Sequence, residues 1–389
     1  MFHEKKETFP ERKNSSLDDT PVCPDNMVDK SQSASFLAFG SLLFLRETRH
    51  KASGAFCLNN KMKTILVAGA GGFIGGHLVS ELLKNKEFKV KAVDKKPLAD
   101  WWQKHPGVES VSLDLQDMAA CTEAVSGAHQ VYNLAADMGG MGFIEHNKAL
   151  CMLSVLINTH LLLAAKEAKV ERFFFASSAC VYAAEKQTRP DIPGLREADA
   201  YPAMPEDGYG WEKLFSERMS RHFREDFGLV TRTARYHNVY GPQGTWKGGR
   251  EKAPAAICRK VAEAKLSGKH EIDIWGDGNQ TRSFMFIEDC TKGSQMIMNS
   301  DIIEPLNLGS DEMVSINQLV DLAEDIAGIK LKRHYKLDAP KGVNGRNSDN
   351  TLIKEKLDWA PSIRLRDGLE RTYAWIYDQI VTNAPCPVY

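Results

Sequence analysis

The sequence lacks the features that would assign it to several large classes of protein. Its formal net charge is −1 over 389 residues, so no global positive field attracts nucleic acid or an anionic membrane surface. Its mean hydropathy is negative, and no apolar run approaches the roughly 20 residues that a membrane-spanning helix needs. We therefore expect neither a nucleic-acid partner nor a membrane partner.

Cysteines are few and scattered. The sequence has eight, without a Cys-x-x-Cys pair and without the compact Cys/His cluster that binds zinc. This density does not support a disulfide framework, so we expect free thiols in a reducing, cytoplasmic compartment and no metal site. Because a buried cysteine most often acts as a small apolar side chain, a chemical role for any one of them needs separate support.

The first 61 residues differ in composition from the rest. They mix charged residues, Ser, Pro and Asn with little periodicity, and their one apolar stretch, at 35–45, is too short to span a bilayer. We predict a disordered N-terminal extension over residues 1–61, without chemistry, whose deletion leaves activity intact. The run MKTILVAGAGGFIGGHL, which opens at Met62, is typical of the start of a folded domain.

From residue 63 onward, short apolar runs alternate with helical patterns. The runs that fit buried parallel strands lie at 65–68, 90–93, 131–134 and 173–176. The alternation predicts an α/β fold: a Rossmann-type doubly wound parallel sheet with a smaller C-terminal substrate-binding domain. A helix predicted at 152–168 is apolar almost all round, so we expect it to be buried within the subunit or against a second subunit.

A glycine-rich turn follows the first apolar run and opens a helix. Gly69, Gly72 and Gly75 form G-x-x-G-x-x-G, in which residues without a Cβ let a pyrophosphate approach backbone N–H groups at the helix N-terminus. Asp94 ends the next strand, where a carboxylate accepts the ribose hydroxyls of NAD and repels the 2′-phosphate of NADP. Asp114 follows the third strand and is placed to meet the adenine. The predicted NAD site therefore comprises Gly69, Gly72, Phe73, Ile74, Gly75, Asp94 and Asp114.

Two further features limit or extend this prediction. Lys95 and Lys96 weaken the preference for NAD, and a solvated strand end is the alternative interpretation of Asp94.

Tyr209 and Lys213 lie four residues apart, hence on one helix face, and an adjacent ammonium with the positive nicotinamide ring would favour the phenolate. An apolar stripe on the same helix lies roughly opposite, so we expect the pair away from the core side of its helix. The stripe comprises Trp211, Phe215, Met219, Phe223 and Phe227.

The turn, a serine at the end of a strand and the Y-x-x-x-K helix resemble those of the extended short-chain dehydrogenase/reductase family. The resemblance implies that Tyr209 takes a proton from a sugar hydroxyl while hydride passes to NAD. It implies that Lys213 holds the nicotinamide ribose and lowers the pKa of the tyrosine, and that Ser178 hydrogen-bonds the reacting oxygen. Tyr209 and Lys213 therefore join the predicted NAD site.

Ala179 and Cys180 occupy the positions at which the 4,6-dehydratases of this family carry an Asp-Glu pair, and many 4-epimerases carry threonine at the second position. Once carbon 4 of a sugar is a ketone, the protons on carbons 3 and 5 become acidic. A thiolate can remove them, and an acid on the opposite face can return them. We therefore predict acid/base function for Cys180.

Longer segments resemble one subfamily, the GDP-mannose 3,5-epimerases. They are AADMGGMGFI (135–144), GTWKGGREKAPAA (244–256), WGDGNQTRSF (275–284), NLGSDEMVS (307–315) and GRNSDN (345–350). The resemblance covers about 62–380. It implies conversion of GDP-mannose to GDP-L-galactose, with GDP-L-gulose if carbon 5 reacts alone, by oxidation at carbon 4, proton exchange at carbons 5 and 3, and re-reduction. It also implies a homodimer formed through two helices per subunit.

The same resemblance assigns residues to the substrate. It places the base at Cys180 and the opposing acid at Lys252, although sequence spacing leaves Lys247 as a competing acid. Arg282 and Arg346 are suited to bind a diphosphate bidentately. The implied substrate contacts are Gly139, Ser178, Ala179, Cys180, Asn238, Glu251, Lys252, Ala253, Lys260, Gln280, Thr281, Arg282 and Arg346.

The domain division follows from these segments. We expect an NAD-binding domain over 62–238 and about 283–309, and a sugar-nucleotide-binding domain over 239–282 and 310–389.

The alternative functions are that of a GDP-4-keto-6-deoxymannose 3,5-epimerase–reductase, which uses NADPH and which Asp94 disfavours, and that of another NAD-dependent sugar-nucleotide epimerase. A catalytically silent scaffold or RNA-binding protein of the same fold is disfavoured by the intact Tyr209, Lys213 and Cys180.

Overall fold

Fourteen strands are present in the computed structural model, which describes residues 62–383; the predicted extension at 1–61 lies outside the described residues. In chain order these strands are β1 (Lys63–Ala68), β2 (Phe88–Asp94), β3 (Glu109–Ser112), β4 (Gln130–Asn133), β5 (Arg172–Ser178), β6 (Thr231–Tyr236), β7 (Val239–Tyr240), β8 (Glu271–Trp275), β9 (Thr281–Ser283), β10 (Met285–Phe286), β11 (Leu306–Leu308), β12 (Met313–Ser315), β13 (Lys332–Lys336) and β14 (Gly345–Arg346).

Eleven helices accompany the strands in the same described range. They are α1 (Phe73–Leu82), α2 (Met118–Val125), α3 (Met141–His146), α4 (Lys148–Met152), α5 (Ser154–Glu167), α6 (Tyr209–Phe227), α7 (Ala253–Ser267), α8 (Ile287–Asn299), α9 (Ile316–Ala327), α10 (Thr351–Leu357) and α11 (Leu365–Val381).

Seven of the strands form one parallel sheet in the order β11–β6–β5–β4–β1–β2–β3. Alternate side chains of β1 enter opposite layers, as the two-residue period of a strand requires. Ile65 and Val67 pack with α1, whereas Leu66 and Ala68 pack with α2 and α5. The predicted Rossmann-type, doubly wound fold is confirmed, and the four apolar runs are strands β1, β2, β4 and β5.

The helix predicted at 152–168 corresponds to α5, and Leu153 separates α5 from the short α4 before it. The expectation that no apolar run approaches the length of a membrane span is wrong, because the stretch Lys148–Glu167 is long and apolar enough by length and composition alone. Instead, α5 packs against α2 and α6 beside the sheet. Leu161 and Leu162 are fully buried, whereas the opposite side of the stretch is exposed. The stretch is therefore a core helix with one exposed apolar side.

Helix α6 is oriented opposite to the sequence-based expectation. Tyr209 and Lys213 lie on its buried side, and Trp211 and Phe215 of the apolar stripe are 41% and 54% exposed. The prediction that the pair lies away from the core side is wrong. The reason is that the inner face of α6 carries polar side chains that find buried partners, as where the Arg235 guanidinium donates to both carboxylate oxygens of Glu217.

The chain leaves the large sheet after β6 and returns to it. Strand β10 pairs with β7, β9 lies between β12 and β14, and β8 pairs with β13. Helices α7, α9 and α11 pack on one another. Helix α8 then lies against β5 and β6, and β11 becomes the edge strand of the large sheet. Residues 62–383 lie in one compact unit, so the division into two domains stays a prediction.

Candidate functional site

The glycine turn after β1 has a backbone that only glycine accommodates. Gly69 has φ +85°, and a Cβ on it would lie 2.9 Å from the backbone nitrogen of Ala135. A Cβ on Gly75 would lie 2.1 Å from the carbonyl oxygen of Gly69, so α1 approaches the turn too closely for any side chain. Gly72 caps α1 without a side-chain hydrogen bond, which leaves N–H groups of the first turn available for an anion.

A cavity of about 740 Å³ lies at the carboxyl ends of β1, β2, β4, β5 and β6. All of the predicted cofactor residues line it, as do Gly139, Ser178 and Lys252 of the predicted substrate site. The lining cofactor residues are Gly69, Gly72, Phe73, Ile74, Gly75, Asp94, Asp114, Tyr209 and Lys213. This edge of a parallel sheet is where dinucleotides bind, so the observed cradle fits NAD.

Asp94 lies at the end of β2 with its side chain facing this cavity. The side chain is buried, and its Oδ1 accepts a hydrogen bond of 3.0 Å from the backbone nitrogen of Lys96. The two lysines that follow are engaged elsewhere: Lys95 Nζ donates to Asp137 at 2.6 Å, and Lys96 Nζ donates to the Gly71 carbonyl at 3.2 Å. Burial lowers the pKa of Lys96 to about 8. The carboxylate therefore keeps an oxygen available for ribose hydroxyls.

Strand β5 and helix α6 bring the predicted catalytic residues together. Ser178 ends β5 and caps the 3₁₀ turn Ala179–Val181, its hydroxyl accepting from the Cys180 nitrogen at 3.2 Å. Lys213 Nζ lies 5.5 Å from the centre of the Tyr209 ring. It also lies 3.5 Å from a carboxylate oxygen of Glu212, which is itself buried.

Burial controls the ionisation of Tyr209 in the protein alone. It raises the pKa of the phenol well above its usual value, and the charges of Cys180 and Glu212 raise it further, while a hydrogen bond with Ser178 lowers it. In the protein alone the phenol is therefore held neutral, and the nearby Lys213 ammonium also pairs with Glu212.

Cys180 lies next to Tyr209 and close to two cations, Arg346 and Lys252. Its side chain is 7% exposed and contacts Tyr209 in a small apolar cluster. Arg346 Nη1 donates to the sulfur at 3.6 Å, and Lys252 interacts with it electrostatically. Burial lowers the pKa of Lys252. A thiol and an amine that can both exchange protons are therefore brought together beside the phenol.

The structure favours Lys252 over Lys247 as the partner of this thiol. Lys252 lines the cavity and caps α7, which starts with Pro254 in its first turn. Lys247 is not among the lining residues, and its Nζ lies 4.6 Å above the ring of Trp246.

Several predicted substrate residues are bonded to the protein itself. Arg282 donates to the carbonyls of Thr281, Lys341 and Val343 at 2.6 to 3.1 Å, and burial lowers its pKa to about 10. Arg346 donates to Gln187 at 2.7 Å and pairs with Glu206. Their bidentate binding of a diphosphate is not preformed, because these bonds would have to be exchanged, and it stays a prediction.

The other predicted substrate residues do not line the cavity. Lys260 Nζ donates to the Asp273 carbonyl at 2.7 Å. Asn238, with φ +37°, donates to the Ser283 carbonyl at 3.1 Å. Gln280 keeps a buried Oε1 without a hydrogen-bond partner, so it can accept from a ligand. The residues outside the lining are Ala179, Cys180, Asn238, Glu251, Ala253, Lys260, Gln280, Thr281, Arg282 and Arg346.

Sequence reasoning missed Asp137 and Arg250, two charged residues in the cavity wall. Asp137 is 5% exposed and pairs with Lys95 and, at 3.8 Å, with Arg250. Both lie within segments that carried the resemblance, which is the signal that could have found them. Their pairing is invisible to spacing, because they lie far apart in the chain.

Comparisons with known proteins identify the family and the fold that this chain resembles. The model of the NAD dependent epimerase/dehydratase family matches residues 65–309. GDP-mannose 3,5-epimerase 1 of Oryza sativa subsp. japonica is 47% identical over 323 residues, which cover 81% of this chain and 82% of that protein. GDP-mannose 3,5-epimerase of Arabidopsis thaliana is 46% identical with the same coverage. The crystal structure of Thermotoga maritima UDP-glucose 4-epimerase with UDP-glucose is similar, with a TM-score of 0.74 and 25% identity, covering 82% of this chain and 99% of that one.

Proposed function

The chain belongs to the NAD-dependent epimerase/dehydratase family, and we propose that it converts GDP-mannose to GDP-L-galactose, with GDP-L-gulose when carbon 5 reacts alone. The observation that carries this proposal is the position of the Cys180 thiol, in contact with Tyr209 and within the electrostatic reach of Lys252. The 47% identity to a rice GDP-mannose 3,5-epimerase supports the choice of substrate.

The residues that would hold the cofactor form the cradle at the carboxyl ends of β1 and β2. The glycine turn and the first turn of α1 would bind the pyrophosphate, and Asp94 would bind the adenosine ribose. Bound NAD would supply the reversible removal of hydride from carbon 4 of the sugar. Asp94 also disfavours the NADPH-dependent epimerase–reductase alternative, because its carboxylate repels a 2′-phosphate.

Tyr209 and Ser178 would handle the proton of the carbon 4 hydroxyl. Ser178 orients the hydroxyl, and Tyr209 accepts its proton during oxidation and returns it during reduction. A phenol as deeply buried as Tyr209 needs a nearby positive charge to act as a base, and the Lys213 ammonium lies beside its ring.

Cys180 and Lys252 would exchange protons at the carbons next to the ketone. The sulfur removes a proton from carbon 5, and the Lys252 ammonium delivers one to the opposite face, which leaves a thiol and a neutral amine. Both groups then return to their starting protonation by exchange with water, and the pair repeats the exchange at carbon 3. Product formed in deuterated water would therefore carry solvent deuterium at both carbons.

We also propose a homodimer formed through α5 and α6, and a cytoplasmic location. The two helices pack side by side and expose apolar side chains, a pattern that monomers rarely show over a large area. The exposed side chains are Leu156 and Leu163 of α5 and Trp211, Phe215 and Phe227 of α6, and Leu150, Met152 and Leu153 of α4 and its junction with α5 are exposed as well. The described cysteines are free thiols, which supports a reducing compartment.

The deciding experiment is incubation of the purified protein with GDP-mannose in deuterated water. We expect NMR to show GDP-L-galactose with deuterium at carbons 3 and 5 and no net consumption of NAD. Unchanged GDP-mannose, or a product labelled at neither carbon, would overturn the proposal. Turnover of a 4-keto-6-deoxy sugar with loss of NADPH would support the epimerase–reductase instead.

A further inference from the structure

The segment that carries Lys252 is anchored to the loop after β4. The Gly140 nitrogen donates to the Arg250 carbonyl at 3.1 Å. A Cβ on Gly140 would lie 2.6 Å from the carbonyl oxygen of Glu251, so the two backbones lie in direct contact. Two glycines with positive φ, Gly248 and Gly249, precede the anchored residues. Because glycine is conformationally permissive, these two glycines do not hold the segment in place. The contacts that hold it must come from the residues that follow.

Arg250 makes side-chain contacts with the same loop. Its Nη1 donates to the Met138 carbonyl at 3.3 Å and lies 3.8 Å from Asp137 Oδ1. Its guanidinium carbon lies 3.7 Å from the centre of the Phe143 ring, a close cation–π contact. The arginine is thus fixed by a carbonyl, a carboxylate and an aromatic face.

Asp137 is a rigid partner for this arginine. Its side chain is 5% exposed, its backbone nitrogen donates to Ser154 Oγ at 3.0 Å, and its second carboxylate oxygen accepts from Lys95. Displacing this buried carboxylate is costly, because it would leave Asp137 buried without a partner and would also leave Lys95 and Arg250 unpaired. Lys95 follows Asp94 at the end of β2, so the chain of contacts runs from the cofactor end of the cavity to the substrate segment.

The neighbouring residues of the segment are held on other sides. Glu251 accepts from the Gly249 nitrogen at 2.7 Å and pairs with Arg259 of α7 at 3.4 Å. Lys252 is the N-cap residue of α7 and lines the cavity. Its long side chain gains a defined direction only if the backbone before it is fixed.

We propose that Arg250 is a positioning residue that, through its contacts with buried Asp137, Met138 and Phe143, fixes Lys252 opposite Cys180. This inference rests on the proposed function, in which Lys252 delivers the proton. Neither Arg250 nor Asp137 needs to touch the reacting carbons for this role. A misplacement of about 1 Å can slow an enzymatic step on the order of 100-fold, so the anchor matters for proton delivery more than for binding.

The first test separates oxidation from proton exchange. For Arg250→Met we expect solvent deuterium to enter the sugar at least ~10-fold more slowly, while reduced cofactor still forms when GDP-mannose is added. Arg250→Lys keeps a cation facing Asp137 and should recover most of the rate. Asp137→Asn changes no side-chain volume and should reproduce the Arg250→Met result. Equal rates of deuterium entry in wild type and Arg250→Met would overturn the inference.

The second test reads the position of Lys252 without substrate. The NAD-loaded protein is treated briefly with a limiting amount of acetic anhydride, and acetylation of Lys252 is measured by mass spectrometry. We expect Lys252 to be modified several-fold faster in Arg250→Met and Asp137→Asn than in wild type. Arg364→Met, which changes an exposed arginine far from the segment, is the control and should match wild type. Modification of Lys252 at the wild-type rate in both variants would overturn the inference.

The two tests also separate this inference from the proposed function. If wild type fails to act on GDP-mannose, the proposed function fails, yet acetylation still decides whether Arg250 fixes Lys252. If wild type epimerises GDP-mannose and both variants behave like wild type, only the positioning role is lost.

Discussion

Arg346 Nη1 lies 3.6 Å from the sulfur of Cys180. The same guanidinium binds Gln187 and pairs with Glu206, and its residue is 5% exposed. A buried arginine fixed by two other partners therefore presents an N–H group to the thiol. The sulfur is held in one place beside Tyr209, which a freely rotating cysteine in an apolar core would not be.

The first prediction concerns this sulfur. Cys180→Ser keeps the size of the side chain but removes a group that exchanges protons readily, so epimerisation should fall by about 10²- to 10⁴-fold. Because Cys180 is not among the residues that line the NAD cradle, cofactor binding should be retained. Product stereochemistry by NMR and NAD content by absorbance measure the two effects.

Cys121→Ser is the matched control. This cysteine is buried as Cys180 is, and its sulfur donates to the Leu115 carbonyl at 3.1 Å, a bond that serine can keep. The control should epimerise at close to the wild-type rate. Near wild-type turnover in Cys180→Ser itself would remove the thiol from the mechanism.

The second prediction distinguishes the two lysines near the cavity. Lys252→Met should abolish most solvent deuterium entry, whereas Lys247→Met should retain it, because only Lys252 lines the cavity. Burial lowers the pKa of Lys252, so its ammonium form is lost at a lower pH than that of an exposed lysine. The alkaline fall in wild-type activity should therefore begin below the pH at which ordinary lysines deprotonate.

The measurement is the rate of deuterium entry against pH for wild type and both variants. Lys247→Met should keep both the rate and the position of the alkaline limb. Loss of activity in Lys247→Met with retention in Lys252→Met would assign the acid to the other lysine.

Local spacing explains why the cofactor half of the site was predictable. The glycine turn lies between β1 and α1, and Asp94 ends the strand that pairs with β1, so a short stretch of chain determines their geometry. The fold class followed from the same alternation of strand and helix.

Long-range pairing explains what could not be predicted. The orientation of α6 depends on buried polar partners such as Arg235 and Glu217, which hydrophobic periodicity does not register. The protein partners of Arg282 and Arg346 come from loops distant in the chain, and so does the pair of Asp137 with Arg250. The sequence of a motif does not show whether its arginine is free to bind a phosphate or is bonded to a protein carbonyl.

The third prediction concerns stability against acid. His237 is fully buried, its Nε2 lies 2.9 Å from Asn307 Oδ1, and burial lowers its pKa to about 4. The unfolded chain has an ordinary histidine pKa near 6.5. As pH falls from about 6.5 to 4, the unfolded state takes up a proton that the folded state does not, so the free energy of unfolding falls by about 3 kcal/mol from this group.

Denaturant unfolding at pH 7 and pH 4 measures this effect in wild type and His237→Gln. Glutamine places an amide nitrogen near the position of Nε2 but does not titrate. The difference in unfolding free energy between the two pH values should be smaller in the variant. Equal differences would show that His237 does not contribute to the acid sensitivity.

The last prediction tests the exposed apolar face of α5 and α6. Phe215 is 54% exposed and Leu156 is 36% exposed, and a second subunit placed on them would exclude water from both. Phe215→Glu would bury a carboxylate without a partner in such an interface, so we expect wild type to sediment as a dimer and the variant as a monomer. Leu337→Glu changes a leucine that is 72% exposed elsewhere on the surface, and it should remain dimeric. A monomeric wild type, or a dimeric Phe215→Glu, would show that this face does not form the interface.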